Sequence, residues 1–150
     1  MRGFVIILFF LISVGSFGQD QQMAYDYFRK GEYEKSASIY KTLYEQNNFN
    51  SNYLLRLLYC ERQLENYENS KLLIDNHLVK YPRQAHFYVE LGYNYELQYD
   101  HENAEKQYRK ALDFLQENPN YGYSIGRSFQ NNHLLDYALE AYKITTLANP

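Results

Sequence analysis

Apolar side chains recur at spacings of three and four residues along most of this chain, which predicts helices with one apolar face. The faces are expected to contain Tyr33, Ala37, Tyr40 and Tyr44; then Leu72, Leu73, Leu78 and Val79; then Ala104, Tyr108, Ala111, Leu112 and Leu115. No convincing run alternates strictly between apolar and polar residues, so no strand is predicted. Gly31, Pro82 and Pro119 fall where helices are expected to end or begin.

The same residue types return every 34 residues along the chain. The sets in phase are Tyr40, Ile74, Tyr108 and Tyr142; Ser36, Ser70, Ala104 and Ala138; Met23, Leu57, Leu91 and Ile125; and Tyr27, Glu61, Tyr95 and Phe129. The repeats span 17–50, 51–84, 85–118 and 119–150. A period of this length indicates stacked supersecondary units rather than one closed core. We therefore expect an all-α fold, an α-solenoid of about four antiparallel helix pairs.

The third repeat carries the residue pattern most clearly, with Tyr88, Leu91, Gly92 and Tyr95 followed by Ala104, Tyr108 and Ala111. It resembles the tetratricopeptide repeat (TPR), and the other three repeats keep parts of the same pattern in phase. The resemblance covers 19–150 and is to exported TPR proteins of bacterial type. It implies a superhelix in which the first helices of successive repeats line a concave groove.

Small residues stand where the two helices of a repeat are expected to cross. Gly92 and Gly126 on first helices, with Ala104 and Ala138 on second helices, would let the backbones approach while large aromatic side chains fill the remaining space. Glycine inside a helix costs about 1 kcal/mol relative to alanine, so its recurrence at one phase indicates a packing role. In the second repeat His77 replaces a small residue, and we interpret it as a satisfied or half-exposed histidine at the core edge.

The phase of the TPR pattern also identifies positions that would face the groove. The resemblance assigns to it Tyr25, Arg29, Asn52, Tyr59, Arg62, Tyr93, Tyr123 and Arg127, with neighbours that include Phe28, Gln130 and Asn131. Tyrosine and arginine often dominate the energetics of interfaces, and asparagine can hydrogen-bond a peptide backbone. Because the chain has 18 tyrosines, the alternative is that these rings are ordinary packing aromatics.

Residues 1–18 do not belong to the repeats. Arg2 precedes an apolar run over 4–12, and Ser16 and Gly18 place small residues at the two positions that a signal peptidase inspects. This pattern predicts a signal peptide, 1–18, that is cleaved before Gln19. The alternative is a membrane anchor, but the run is shorter than the roughly 20 residues that span a bilayer. We therefore expect export to the periplasm or cell envelope, with no stable membrane insertion after cleavage.

The last repeat is expected to leave an apolar face open. TPR arrays usually finish with an additional polar helix, whereas this sequence stops at a repeat boundary, Asn149-Pro150. Either the array continues beyond the chain end, or a partner covers Tyr137, Leu139 and Tyr142. Continuation is the preferred alternative.

No group of residues predicts an enzyme, a cofactor or a metal site. The histidines His77, His86, His101 and His133 lack the spacing of metal ligands. Gly122, Ser124 and Gly126 match the letters of a nucleophile elbow, but no strand precedes them. The single cysteine, Cys60, is expected to be a buried apolar group. A net charge of −3 with both signs interleaved argues against nucleic-acid binding.

These observations favour a non-catalytic scaffold that binds a protein or an extended peptide in its groove, within an assembly of the cell envelope. A second hypothesis is that the chain is the N-terminal sensor or docking region of a longer signalling protein or enzyme. A third is that the array acts mainly as a spacer. The partner's identity does not follow from the sequence.

Overall fold

The computed structural model describes residues 18–148; residues 1–17, which hold nearly all of the expected signal peptide, and 149–150 lie outside the described part. Between these limits the chain is helical, with no strand, which confirms the all-α prediction. The helices are α1 (18–29), α2 (Tyr33–Gln46), α3 (Ser51–Gln63), α4 (Tyr67–Lys80), α5 (His86–Glu96), α6 (His101–Glu117), α7 (Gly122–Asn131) and α8 (Leu135–Ala148), with a 3-10 helix at Pro119–Tyr121 before α7.

The helices fall into two compact units, Met1–Asn66 and Tyr67–Pro150. In the first unit α2 packs along α3. The Ser36 hydroxyl donates a hydrogen bond of 3.0 Å to the Ala24 carbonyl and so ties α2 to α1. Leu43 and Leu57 are among the fully buried side chains of this unit, and each such leucine stabilises the fold by about 1.5–3 kcal/mol. Cys60 is also fully buried, as predicted, and burial raises the pKa of its thiol.

In the second unit α5 pairs with α6 and α7 pairs with α8, while α5 also contacts α7 and α6 contacts α8. Aromatic rings fill the contact between the two pairs. The Tyr137 ring stacks on Phe129, with centroids 5.3 Å apart, and lies 5.0 Å from the Tyr108 ring. The Tyr137 hydroxyl donates a hydrogen bond to Glu105. Burial, together with this carboxylate, raises the pKa of Tyr137 to about 12.

Glycine makes the close crossing within each of these pairs possible. A Cβ placed on Gly92 would lie 2.3 Å from the Tyr108 Cε1 atom and 3.0 Å from the Ala104 carbonyl oxygen. A Cβ placed on Gly126 would lie 2.4 Å from the Tyr142 Cε1 atom. The predicted packing role of both glycines is confirmed, and the structure adds that the aromatic ring of the second helix lies directly against the glycine.

One backbone turn ends the first helix of every repeat. Gly31, Glu65, Tyr99 and His133 have φ angles of 74°, 59°, 61° and 61°. These positions are 34 residues apart. The N–H of the next residue donates to a carbonyl five residues back, as from Asn66 to Glu61 at 2.8 Å and from Leu134 to Phe129 at 2.9 Å. Three repeats thus adopt a left-handed conformation without glycine, at a cost of about 1–2 kcal/mol each, which the hydrogen bonds of the turn offset in part.

The apolar face predicted for α4 is wrong in two of its members. Leu72 is 58% exposed and Val79 is 86% exposed. The buried residues of α4 are Ser70, Ile74, His77 and Leu78. They follow a row spaced by four and three residues, and Leu72 and Val79 lie about half a turn away from this row. The sequence pattern misplaced the face because leucine and valine flank the row while serine and histidine belong to it.

His77 is a satisfied histidine, and it is fully buried rather than half-exposed. Its Nε2 atom lies 3.0 Å from the Gln84 side-chain oxygen, and its ring centroid lies 4.4 Å from that of Phe87. Burial lowers the pKa of His77, so the ring is neutral near pH 7. A neutral ring needs a partner for its N–H, which the Gln84 oxygen provides.

A buried carboxylate joins α5 to α7. One oxygen of Glu90 accepts hydrogen bonds from the Ser128 hydroxyl at 2.6 Å and from the Asn132 amide at 3.0 Å. His86, one turn earlier on α5, has its pKa lowered to about 4, chiefly because it is desolvated. The Glu90 charge opposes this shift, and His77 adds to it. The native state therefore holds His86 neutral at pH values where an unfolded chain would protonate it.

We expect Gly92→Ala to lower the free energy of unfolding by up to about 2 kcal/mol, measured by urea denaturation. Alanine is the better helix former by about 1 kcal/mol, but its Cβ meets the Tyr108 ring and a backbone oxygen, and overpacking costs about 1–3 kcal/mol. In a Tyr108→Leu background the same change should cost less, because the ring is gone. Full additivity of the two changes would contradict this packing.

We expect His86 to make the protein less stable as the pH falls from 6.5 towards 4. The folded pKa is below the unfolded value of 6.5, so in this window the unfolded state binds more protons and the free energy of unfolding falls. His86→Gln should lose about 2 kcal/mol less than the wild type between about pH 7 and pH 4.5. His133→Asn, an exposed position where asparagine tolerates the positive φ, serves as the control and should follow the wild-type curve.

Candidate functional site

Four aromatic rings and two arginines gather on the first unit. Tyr25 lies one turn before Phe28 and Arg29 on α1, and Arg56 and Tyr59 lie one turn apart on α3; we call these five residues the α1–α3 patch. The Phe28 and Tyr59 rings are 4.9 Å apart. Tyr33, at the start of α2, has its ring centroid 6.1 Å from each of them. Helical spacings of three and four residues place these side chains on one face of each helix.

The two arginines of the patch lie over aromatic rings. The Arg56 guanidinium carbon is 4.9 Å from the Phe28 centroid and 5.8 Å from the Tyr25 centroid. The Arg29 guanidinium carbon is 6.0 Å from the same Tyr25 ring. Desolvation, reinforced by the neighbouring Tyr59, raises the pKa of Tyr33, so its hydroxyl stays protonated at neutral pH. The patch therefore presents cations and hydrogen-bond donors that lie against aromatic rings.

A second group of candidate residues lies in the unit Tyr67–Pro150. The Arg127 guanidinium donates a hydrogen bond of 3.2 Å to the Tyr123 hydroxyl and lies over its ring. Both residues border a cleft of about 590 Å³ between α7 and α8, which is lined by Tyr123, Arg127, Gln130, Asn131, His133, Leu135 and Tyr142. The cleft is open to solvent, and nothing in its lining forms a catalytic arrangement.

The structure distributes the eight predicted groove residues unevenly. Tyr25, Arg29 and Tyr59 meet in the α1–α3 patch, where Tyr59 is 45% exposed. Tyr123, which is 69% exposed, and Arg127 meet at the cleft. Asn52 is exposed and Tyr93 is half-buried, and neither belongs to these two groups. Arg62 is 9% exposed, which makes it the least accessible of the predicted set. A binding role for each of the eight remains a prediction.

The repeat phase does not identify Arg56, which belongs to the α1–α3 patch, or Tyr33, whose ring contacts the patch. The distribution of cationic residues is a signal that finds Arg56. The first helices α1, α3, α5 and α7 contain Arg29, Arg56, Arg62 and Arg127 but no lysine, whereas the second helices contain seven lysines and one arginine, Arg109. Arginine is enriched and lysine depleted at protein interfaces. The arginines therefore distinguish the first helices from the second helices.

Ser124 has no catalytic setting. It lies inside α7, and its hydroxyl donates to the Tyr121 carbonyl at 2.9 Å. The two glycines around it are packing residues, since a Cβ on Gly122 would lie 1.7 Å from the Thr145 hydroxyl oxygen and Gly126 lies against Tyr142. The letters of the motif therefore reflect the contact between α7 and α8.

Two further observations concern the described residues 18–148. No three or more histidine, cysteine, aspartate or glutamate side chains come together there in a way that could hold a metal ion. No helix in this range combines the length and the apolar character that crossing a membrane requires.

No protein-family model matches this sequence, and no curated protein matches it. Solved structures do match. The type III secretion translocator chaperone SycD of Yersinia enterocolitica is 16% identical, with a TM-score of 0.65 over 86% of this chain and 94% of that chain. A second SycD structure, an alternative dimer, is 13% identical, with a TM-score of 0.61 over 91% and 96%. MamA is 15% identical, with a TM-score of 0.54 over 87% and 76%. The likeness is one of fold, and the chain has the TPR-like helical-repeat fold that its sequence period predicts.

Proposed function

We propose that this protein is a non-catalytic scaffold that binds another protein, or an extended peptide, along the first helices of its repeats, within an assembly of the cell envelope. The observation that carries the proposal is the α1–α3 patch, where Tyr25 and Tyr59 remain exposed beside two arginines. Tyrosine and arginine are the residues most often found at the energetic centre of an interface.

The energetics of the patch favour binding over a purely structural role. A cation–π contact at an exposed site is worth about 0.5–1 kcal/mol, and it strengthens to about 2 kcal/mol when water is excluded. A partner that covers Tyr25 and Tyr59 would remove their apolar area from water and strengthen the contacts of Arg29 and Arg56 at the same time. The same side chains contribute less to the stability of the free protein.

The fold agrees with a scaffold. Helical repeats present extended surfaces for partners. SycD, one of the structural neighbours, is named as a chaperone of secretion translocators, and a protein that holds other proteins is an appropriate precedent for the use of this architecture. Export is proposed from the sequence, on Arg2, the apolar run over 4–12 and the small residues Ser16 and Gly18.

Tyr59→Ala should weaken partner capture more than it weakens the fold. We expect capture from an envelope extract, quantified by mass spectrometry, to fall about tenfold or more. The free energy of unfolding should fall by less than about 1.5 kcal/mol because the ring is half-exposed. Tyr40→Ala is the matched control: Tyr40 is 3% exposed, and its truncation should cost about 3–5 kcal/mol. Equal losses of stability in the two variants would mean that Tyr59 is a core residue.

The exported form should begin at Gln19. Mass spectrometry of protein recovered from the periplasm or cell envelope of a Gram-negative host is expected to show loss of 1–18, because signal peptidase cleaves after small residues at the positions of Ser16 and Gly18. Gly18→Pro should block cleavage and leave the longer form. Retention of an intact N-terminus in the cytoplasm of the host would contradict export.

A further inference from the structure

Two positively charged groups of the α1–α3 patch lie near one aromatic ring. Arg29 and Arg56 lie 6.0 Å and 5.8 Å from the centroid of Tyr25. Neither guanidinium is within ion-pair distance of a carboxylate in the described part of the chain. An incoming anion would therefore find two guanidinium groups near one ring that no carboxylate of the described residues neutralises.

Arg109 shows how an arginine is paired with carboxylates elsewhere in this protein. Arg109, on the second helix α6, is held by Glu105 at 2.8 Å and by Glu140 at 3.2 Å. Arg109 also lies 5.6 Å from the centroid of the Tyr137 ring. Arg29, Arg56 and Arg127 on first helices make the same kind of ring contact, but without an ion pair to a carboxylate of the described residues. The carboxylates that could have served the patch are engaged elsewhere, since Asp26 accepts from Gln22 and Glu32 pairs with Lys35.

The use of arginine rather than lysine limits the chemical class of ligand that the patch would bind. A guanidinium binds a carboxylate through two parallel hydrogen bonds and stacks on an aromatic ring at the same time, which an ammonium group cannot do. The exposed faces of Tyr25 and Tyr59 beside it offer apolar contact and hydroxyl groups. A segment that places an aspartate or glutamate next to an apolar residue would satisfy both halves of the patch.

We propose that the α1–α3 patch binds an acidic segment of a partner protein, with Arg29 and Arg56 pairing with its carboxylates and Tyr25 and Tyr59 covering an adjacent apolar side chain. This assignment rests on the proposed scaffold function and specifies the chemistry of its partner. It also fits a protein whose net charge is −3: the overall field does not attract an anion, so recognition depends on these local cations and weakens with salt.

The test is a selection of short random peptides, displayed on phage, against the immobilised full chain. Wild type is compared with Arg29→Gln/Arg56→Gln, with Arg29→Lys/Arg56→Lys, and with Lys41→Gln/Lys143→Gln. The last variant removes the same charge from exposed positions on second helices. Circular dichroism and urea denaturation establish that each variant is folded. The readout is the frequency of aspartate and glutamate in enriched peptides, followed by the affinity of one selected peptide for each variant by fluorescence anisotropy.

We expect the frequency of aspartate and glutamate to rise about twofold or more above the unselected library on wild type and on the control Lys41→Gln/Lys143→Gln. Arg29→Gln/Arg56→Gln should lose this enrichment and bind the selected peptide about tenfold or more weakly than wild type. The affinity of Arg29→Lys/Arg56→Lys should lie between those of wild type and Arg29→Gln/Arg56→Gln, because ammonium groups keep the charge but not the paired hydrogen bonds.

Four results would overturn parts of the assignment in distinguishable ways. Enriched peptides without acidic residues would overturn the acidic partner and leave the scaffold standing. Acidic enrichment that survives in Arg29→Gln/Arg56→Gln, or that Lys41→Gln/Lys143→Gln abolishes equally, would place the site away from the patch. No enrichment over blank beads would count against the proposed scaffold function itself. Tighter binding of a single-stranded DNA oligonucleotide than of the selected peptides would assign the arginines to phosphate instead.

Discussion

The contact between a glycine on one helix and an aromatic ring on the next fixes how closely the helices of a repeat approach. Gly92 lies against Tyr108 and Gly126 against Tyr142, and these pairs recur at a spacing of 34 residues. Neither position accepts a Cβ without movement of the ring. Once the ring is seated, Tyr108 also meets Phe129 and Tyr137 of the following pair. One contact within a repeat therefore shapes the contact between repeats in the unit Tyr67–Pro150.

First and second helices contribute different side chains to this packing and to the surface. Second helices supply the rings Tyr108 and Tyr142 and carry nearly all of the lysines, several in ion pairs of one helical turn such as Lys71 with Asp75. Such surface pairs contribute little to stability. First helices supply the glycines and carry arginine, with aromatic side chains beside it.

Contacts between exposed side chains were harder to predict than packing positions, for a physical reason. Phase in a repeat predicts burial well where neighbouring repeats cover the position, as at Leu57, Leu91 and Ile125; Met23, in the same phase, is exposed. Phase says less about which exposed side chains meet. Arg56 joins Tyr25 and Phe28 through contacts between α1 and α3, whereas Arg62, chosen by phase, is buried. In α4 the sequence pattern predicted that Leu72 and Val79 are buried, whereas Ser70 and His77 are buried instead.

The order of residues along the chain was enough to predict the repeat length, the helical class, the glycine crossings and the absence of strands from residues 18–148, because these depend on local periodicity and on the size of side chains at fixed spacings. The left-handed turns at Glu65, Tyr99 and His133, the neutral state of His77 and the meeting of two arginines at Tyr25 depended on tertiary structure. Each of these arises from residues distant in sequence or from a backbone conformation that the residue type does not favour, and packing of whole helices selects it.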